Sequence, residues 1–163
     1  MQRDPAKRHP AIFATLVGGS IAGTLDLTYA IVFSGIRGVD PLRVLQSVAG
    51  GWLGSATYEG GASSAILGFV SHFFIAFLMA ATFWLVSRRW RFLTRHPVAA
   101  GLLYGALLHP FMTMVVLPLS AFPHPFVFKP LFFVINVVAH MVFVGLPISL
   151  ATHRASAAQV LSR

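Results

Sequence analysis

"GFVSHFFIAFLMAATFWLVSRRWRFLTRH", Gly68 to His96, joins a long apolar run to a burst of arginines and sets one histidine, His72, inside the run. From Gly68 to Ser87 there is no Asp, Glu, Lys or Arg. A helix that crosses a bilayer needs about 20 such residues. Cationic side chains set tight against its end mark one side of the membrane. The stretch therefore reads as the end of a spanning helix with its charged turn, and the rest of the chain can be tested for more of the same.

The totals agree. Of 163 residues 56% are hydrophobic and 10% are charged, where an ordinary soluble domain carries about 25% charged residues. A domain of roughly 150 residues still exposes about 30% of its unfolded surface, so this apolar excess must face something other than water. The formal charge of +8 comes from 12 Lys and Arg against 4 acids. Because the bases sit beside apolar runs, they read as topology signals and not as a nucleic-acid surface. There are no cysteines, which excludes disulfides and thiolate chemistry. P-loop, GxGxxG and GxSxG signatures are also absent from the sequence.

Four segments qualify as spans: residues 11–33, 64–87, 97–122 and 130–151. The first begins after a basic stretch, as a signal peptide would. Its apolar run exceeds the usual ~7–15 residues, so it is read as a retained helix. Pro110 and Pro147 predict kinks in the last two spans. Arg3, Lys7, Arg8, Arg88, Arg89, Arg91, Arg95, Arg154 and Arg163 fall on one side. Arg37, Arg43 and Lys129 fall on the other. The positive-inside rule then puts both termini and the arginine turn in the cytoplasm, with Arg88, Arg89, Arg91 and Arg95 as anchors against the headgroups.

The outer loop carries structure of its own. Asp40 followed by Pro41 reads as an N-cap and first-turn proline, opening a short amphipathic interfacial helix over residues 41–54. Its apolar side holds Leu42, Val44, Leu45, Val48, Ala49, Trp52 and Leu53. Arg43, Gln46, Ser47 and the glycines take the other. Such a helix either caps the bundle or serves as a lid. Glu59 lies near the start of the second span, where the helix dipole favours an acid.

Every fourth residue of the spans picks out rows of small side chains: Gly18, Ala22, Asp26, Ala30; Gly68, His72, Ala76, Ala80; Gly101, Gly105, His109, Thr113. Small residues at this spacing mark faces where helices approach closely. Asp26, His72 and His109 are therefore expected to face other helices, as are Asn136 and His140 in the last span. At about 1.5 Å of rise per residue these groups fall at compatible depths. The cheapest pairing joins Asp26 to a histidine, with His72 the expected partner.

Ionisable groups inside spans are costly and are functional hypotheses by default. Three readings of Asp26, His72, His109, Asn136 and His140 compete: helix-locking hydrogen bonds, a metal or haem site using the histidines and Asp26, and a proton or solute path. No HxxxH or HExxH motif supports the second. The first makes the protein non-enzymatic, its only expected partners being the bilayer and a second copy of itself.

The segments Gly23 to Gly54 ("GTLDLTYAIVFSGIRGVDPLRVLQSVAGGWLG"), Gly68 to Phe77 ("GFVSHFFIAF") and Met114 to Ala121 ("MVVLPLSA") resemble an uncharacterised bacterial family of small four-span membrane proteins. The resemblance implies a bacterial cytoplasmic-membrane setting and assigns no activity and no site residues. Arg37, Asp40, Arg43, Gln46, Asp26 and His72 fall inside the resembling segments.

Overall fold

The computed structural model describes residues 5–124 and 127–160, and contains no strand among them. Arg3 and Arg163, counted above among the basic residues, lie outside the described residues. The principal helices are α1 (Pro10–Gly35), α2 (Pro41–Leu53), α3 (Gly61–Ser87), α4 (Pro97–Leu119) and α5 (Pro130–Gln159). All but α2 are long and apolar enough to span a membrane. The architecture is all-α, four spanning helices with a short amphipathic helix between the first two.

Local chemistry explains the helix starts. Pro10, Pro41, Pro97 and Pro130 occupy first-turn positions, where a missing N–H costs nothing and φ is already set. The Asp40 carboxylate accepts from the Leu42 N–H at 2.7 Å. Gly54, at φ +60°, ends α2 in a backbone conformation that side chains disfavour. Pro110 and Pro147 sit beside widened, π-type turns at Met112–Val116 and Met141–Gly145. Each proline leaves a carbonyl of the preceding turn without its usual partner.

The helix α5 runs past residue 151, where hydropathy alone ended the span. Its Ala-rich tail keeps helical propensity, and Ala155, with no exposure, packs with Ala14 and Trp84. One turn of helix at Pro5–Arg8, the arginine turn and this tail gather at the same end of the bundle. There the His153 Nδ1–H donates to the Thr94 carbonyl at 2.7 Å. Arg88, Arg89, Arg91 and Arg95 are all exposed at this arginine end. The opposite, loop end carries Arg37, Arg43 and Lys129.

The helices α1 and α5 form the central pair. α3 packs on the far side of α1, and α4 on the far side of α5. Glycine sets the closest of these contacts. A Cβ on Gly105 would stand 2.5 Å from the Met141 Cα, and one on Gly19 would meet the Phe77 ring. The buried core of Ala22, Ala80, Phe83, Leu108, Val144 and Ile148 closes the arginine half. Outside, Leu16, Ile66, Phe74, Leu103 and Val134 are all at least half exposed. Only 17% to 28% of each span's most apolar window is buried, so most of the apolar surface is left for acyl chains.

Candidate functional site

Although consecutive in the chain, α3 and α4 have little backbone packing between them. They meet through Tyr104, whose hydroxyl donates to the Met79 carbonyl at 2.9 Å and whose ring lies 4.9 Å from that of Phe83. Toward the loop end the two helices part around a cavity of about 780 Å³. Ser47, Val48, Gly51 and Trp52 of α2 and residues 120–122 complete its wall. The Ala121 N–H fastens that wall by donating to the Gly51 carbonyl at 3.0 Å. Phe111, Val115 and Leu119 line the cavity and are also exposed, at 53%, 41% and 83%. The mouth therefore faces sideways, between helices, where lipid would lie.

Apolar side chains make most of the lining, which also includes four titratable residues, Asp26, His72, His109 and His140, and the hydroxyls of Ser47, Thr113 and Ser120. Asp26 and His140 are turned inward, their side chains 19% and 17% exposed. The His140 Nδ1–H donates to the Asn136 carbonyl at 2.9 Å. A carbonyl only accepts, so Nδ1 carries a proton and Nε2 faces the Asp26 carboxyl group, 3.9 Å away. That separation is too long for a hydrogen bond. One turn further along, the Tyr29 hydroxyl donates to Asn136 Oδ1 at 3.3 Å, and Asn136 Nδ2 donates to the Phe132 carbonyl at 2.7 Å. The central helix pair is thus joined twice by polar side chains.

His72 is engaged elsewhere. Its Nε2–H donates to the Gly23 carbonyl at 2.9 Å, tying α3 to α1. The expected Asp26–His72 pairing is therefore replaced by Asp26–His140. The reason is rotational: α1 lies between α3 and α5, and its carboxyl group points toward α5. His109 rests in ring contact with His140 (4.8 Å between centroids) and Phe133 (5.1 Å). Among the described residues its ring nitrogens have no hydrogen-bond partner.

His109 and Thr113 also line a second, smaller cavity of about 230 Å³, whose other polar residues are Arg37, Lys129 and Asn136. The two cavities share a wall at this point.

Of the five expected cluster residues, Asp26, His72, His109 and His140 line the larger cavity, and Asn136 lines the smaller one with His109. The outer-loop candidates scatter. Arg37 joins the smaller cavity; Asp40 caps α2; Arg43 lies over the Tyr58 ring at 5.2 Å; Glu59 is exposed and lines neither cavity. Gln46 belongs inside. At 2% exposure it donates through Nε2 to the Gly61 carbonyl at 3.1 Å and to Ser64 Oγ at 3.3 Å. The polar side assigned to α2 is therefore corrected. Val44 and Ala49 of the expected apolar side face the bundle together with Gln46 and Gly50, while Leu42, Trp52 and Leu53 are 43%, 66% and 44% exposed. Small residues, and an amide whose Nε2 is bonded while its Oε1 is buried without a partner among the described residues, let α2 press its backbone onto Gly68 of α3, where a Cβ would overlap the Leu45 carbonyl.

Tyr29, Trp52 and Lys129 were not singled out from the sequence as site residues. Tyr29, three residues after Asp26, shares its helix face, which was a readable signal.

For a metal, no group of three His, Cys, Asp or Glu side chains converges among the described residues. For haem, the His109 and His140 rings are in contact and leave no gap for a macrocycle between them. Comparisons of the chain with protein families, with curated proteins and with solved structures return no match.

Proposed function

We propose that the chain is a non-enzymatic, multi-pass protein of a bacterial cytoplasmic membrane, with both termini and the arginine turn inside. On this reading it takes up a largely apolar molecule with one hydrogen-bonding end, drawn sideways from the bilayer into the cavity between α3 and α4. The observation that carries the reading is the cavity itself. Its volume of about 780 Å³ falls within the ~300–1,000 Å³ of small-molecule sites, which are mostly apolar with a few convergent polar groups. Among the described residues the His109 ring nitrogens have no hydrogen-bond partner, and the Asp26 carboxyl group makes no hydrogen bond, its contact with His140 being 3.9 Å. A ligand hydroxyl or carbonyl would complete both.

Two details support binding over reaction or transport. The cavity hydroxyls are committed to helix carbonyls: Thr113 donates to that of His109 at 2.9 Å, Ser120 to that of Leu117 at 2.7 Å and Ser47 to that of Val44 at 2.7 Å, so none is held by an imidazole as a nucleophile would be. Below the cluster, Phe83, Leu108, Val144 and Ile148 pack into an apolar layer, which opposes passage of protons or polar solutes, although Ser87, Ser149 and Thr152 are buried in the same half. The polar residues hold the bundle as well, since His72, Asn136, Tyr29 and His140 tie α3, α1 and α5 together.

The test uses Trp52, which lines the cavity. With Trp84→Phe and Trp90→Phe it becomes the sole tryptophan of the three in the chain. A brominated long-chain alcohol should quench its emission saturably. Val116→Phe, which fills the cavity, should weaken that quenching at least about tenfold, a change of about 1.4 kcal/mol. Quenching that never saturates, or is the same in Val116→Phe, would refute the proposal.

A further inference from the structure

We infer that the smaller cavity is a seat for a phosphate group, with Arg37 and Lys129 as the residues that hold it. It lies at the loop end, where α1 stops and α5 begins. Arg37 follows α1, and its guanidinium sits over two rings, 4.7 Å from the centroid of Phe33 and 5.3 Å from that of Phe132. Ring contact of this kind holds the guanidinium in place by cation–π attraction while leaving its N–H donors unspent. Lys129 immediately precedes α5 and brings a second positive charge to the same concavity. The one ion pair among the described residues is His140 with Asp26, so neither Arg37 nor Lys129 has an acidic partner there.

The rest of the lining fits the same ligand. The described lining includes no Asp or Glu. Asp26 lines only the larger cavity, with His109 in the shared wall. His109 offers ring nitrogens that have no hydrogen-bond partner among the described residues. A planar fork and a point charge meeting at one concavity suit a group with several acceptor oxygens and up to two negative charges. That describes a phosphate or phosphate monoester better than a single carboxylate. The chemistry is the same whether the phosphate is free or is carried by a lipid headgroup, and the depth of the site at a span end admits both.

The experiment is a thermal melt of the full chain in a neutral detergent. Inorganic phosphate is titrated in one arm, and short-chain phosphatidic acid, with phosphatidylcholine of the same chain length as control, in the other. A saturable rise in Tm of a few degrees is expected for a ligand that binds only the folded state. Arg37→Gln and Lys129→Gln should each raise the apparent Kd at least about tenfold. Arg43→Gln, which removes a cation at the same end but outside the cavity, should change nothing. A response to inorganic phosphate assigns a soluble ligand; a response to phosphatidic acid alone assigns a headgroup. Phosphorus NMR line broadening of the added phosphate gives a second readout, free of any effect of a substitution on folding. No response in either arm, or equal responses from the wild type and both cavity variants, overturns the inference. Val116→Phe should leave the phosphate response intact, so failure of the larger cavity as a binding site is distinguishable from failure of this one.

Discussion

Gly105 shows how much of this bundle rests on single residues. Its missing Cβ lets the α4 backbone lie against His140 and Met141, on the same turns that present His109 and His140 to each other. Gly105→Ala must push the backbones apart, and overpacking of this kind costs about 1–3 kcal/mol. Gly35, with nothing within 4 Å of an added Cβ, is the matched control, and Gly35→Ala should be neutral or slightly stabilising. Reversible unfolding in mixed micelles measures both. His72→Ala removes the bond to the Gly23 carbonyl, and about 0.6–1.7 kcal/mol is the expected loss. At this scale the sequence was informative about closeness and poor about pairing. A glycine every fourth residue reports that a neighbour is near because nothing else fits there. Asp26 carries no such sign of its partner, since a rotation of α1 decides between His72 and His140.

Among the elements, α2 departs furthest from a helix merely resting at an interface. Its Gln46 amide, the Thr57 hydroxyl that donates to the Gln46 carbonyl at 2.7 Å, and the Trp52 indole N–H that donates to Ser71 Oγ at 3.1 Å all fasten it to its surroundings. A cysteine placed at Ala49, which has no exposure, should resist a water-soluble maleimide; the chain has no native cysteine to interfere. Adding Gly68→Val should make it react, because the valine cannot fit beneath the Leu45 carbonyl. If the single and double variants react at equal rates, the docking of α2 is wrong. The start of α2 was legible in Asp40 and Pro41, whose chemistry is local. Its orientation was not. Apolar residues point inward when the alternative is water, but next to lipid they gain nothing by it, and the small, close-packing side turned inward instead.

For the whole molecule, the order α3–α1–α5–α4 places consecutive spans at the two ends of an arc. Hydropathy counts spans without ordering them around the bundle, so neither the parting of α3 from α4 nor the cavity between them could be read in advance. An even number of crossings does have a consequence that can be checked. In sealed vesicles, Arg8→Cys and Ala157→Cys should be labelled from one face, and Ser55→Cys from the other. Labelling of residues 8 and 157 from opposite faces would contradict the four-span arrangement.

The sideways mouth, with Phe111 and Leu119 on its rim, makes the bilayer and not the aqueous phase the reservoir for any occupant. Occupancy should then follow moles of guest per mole of lipid. Mixing loaded proteoliposomes with empty ones would strip the guest at constant total concentration, as the added membrane dilutes it. Within one membrane, a poorly water-soluble guest would enter and leave the cavity without having to dissolve.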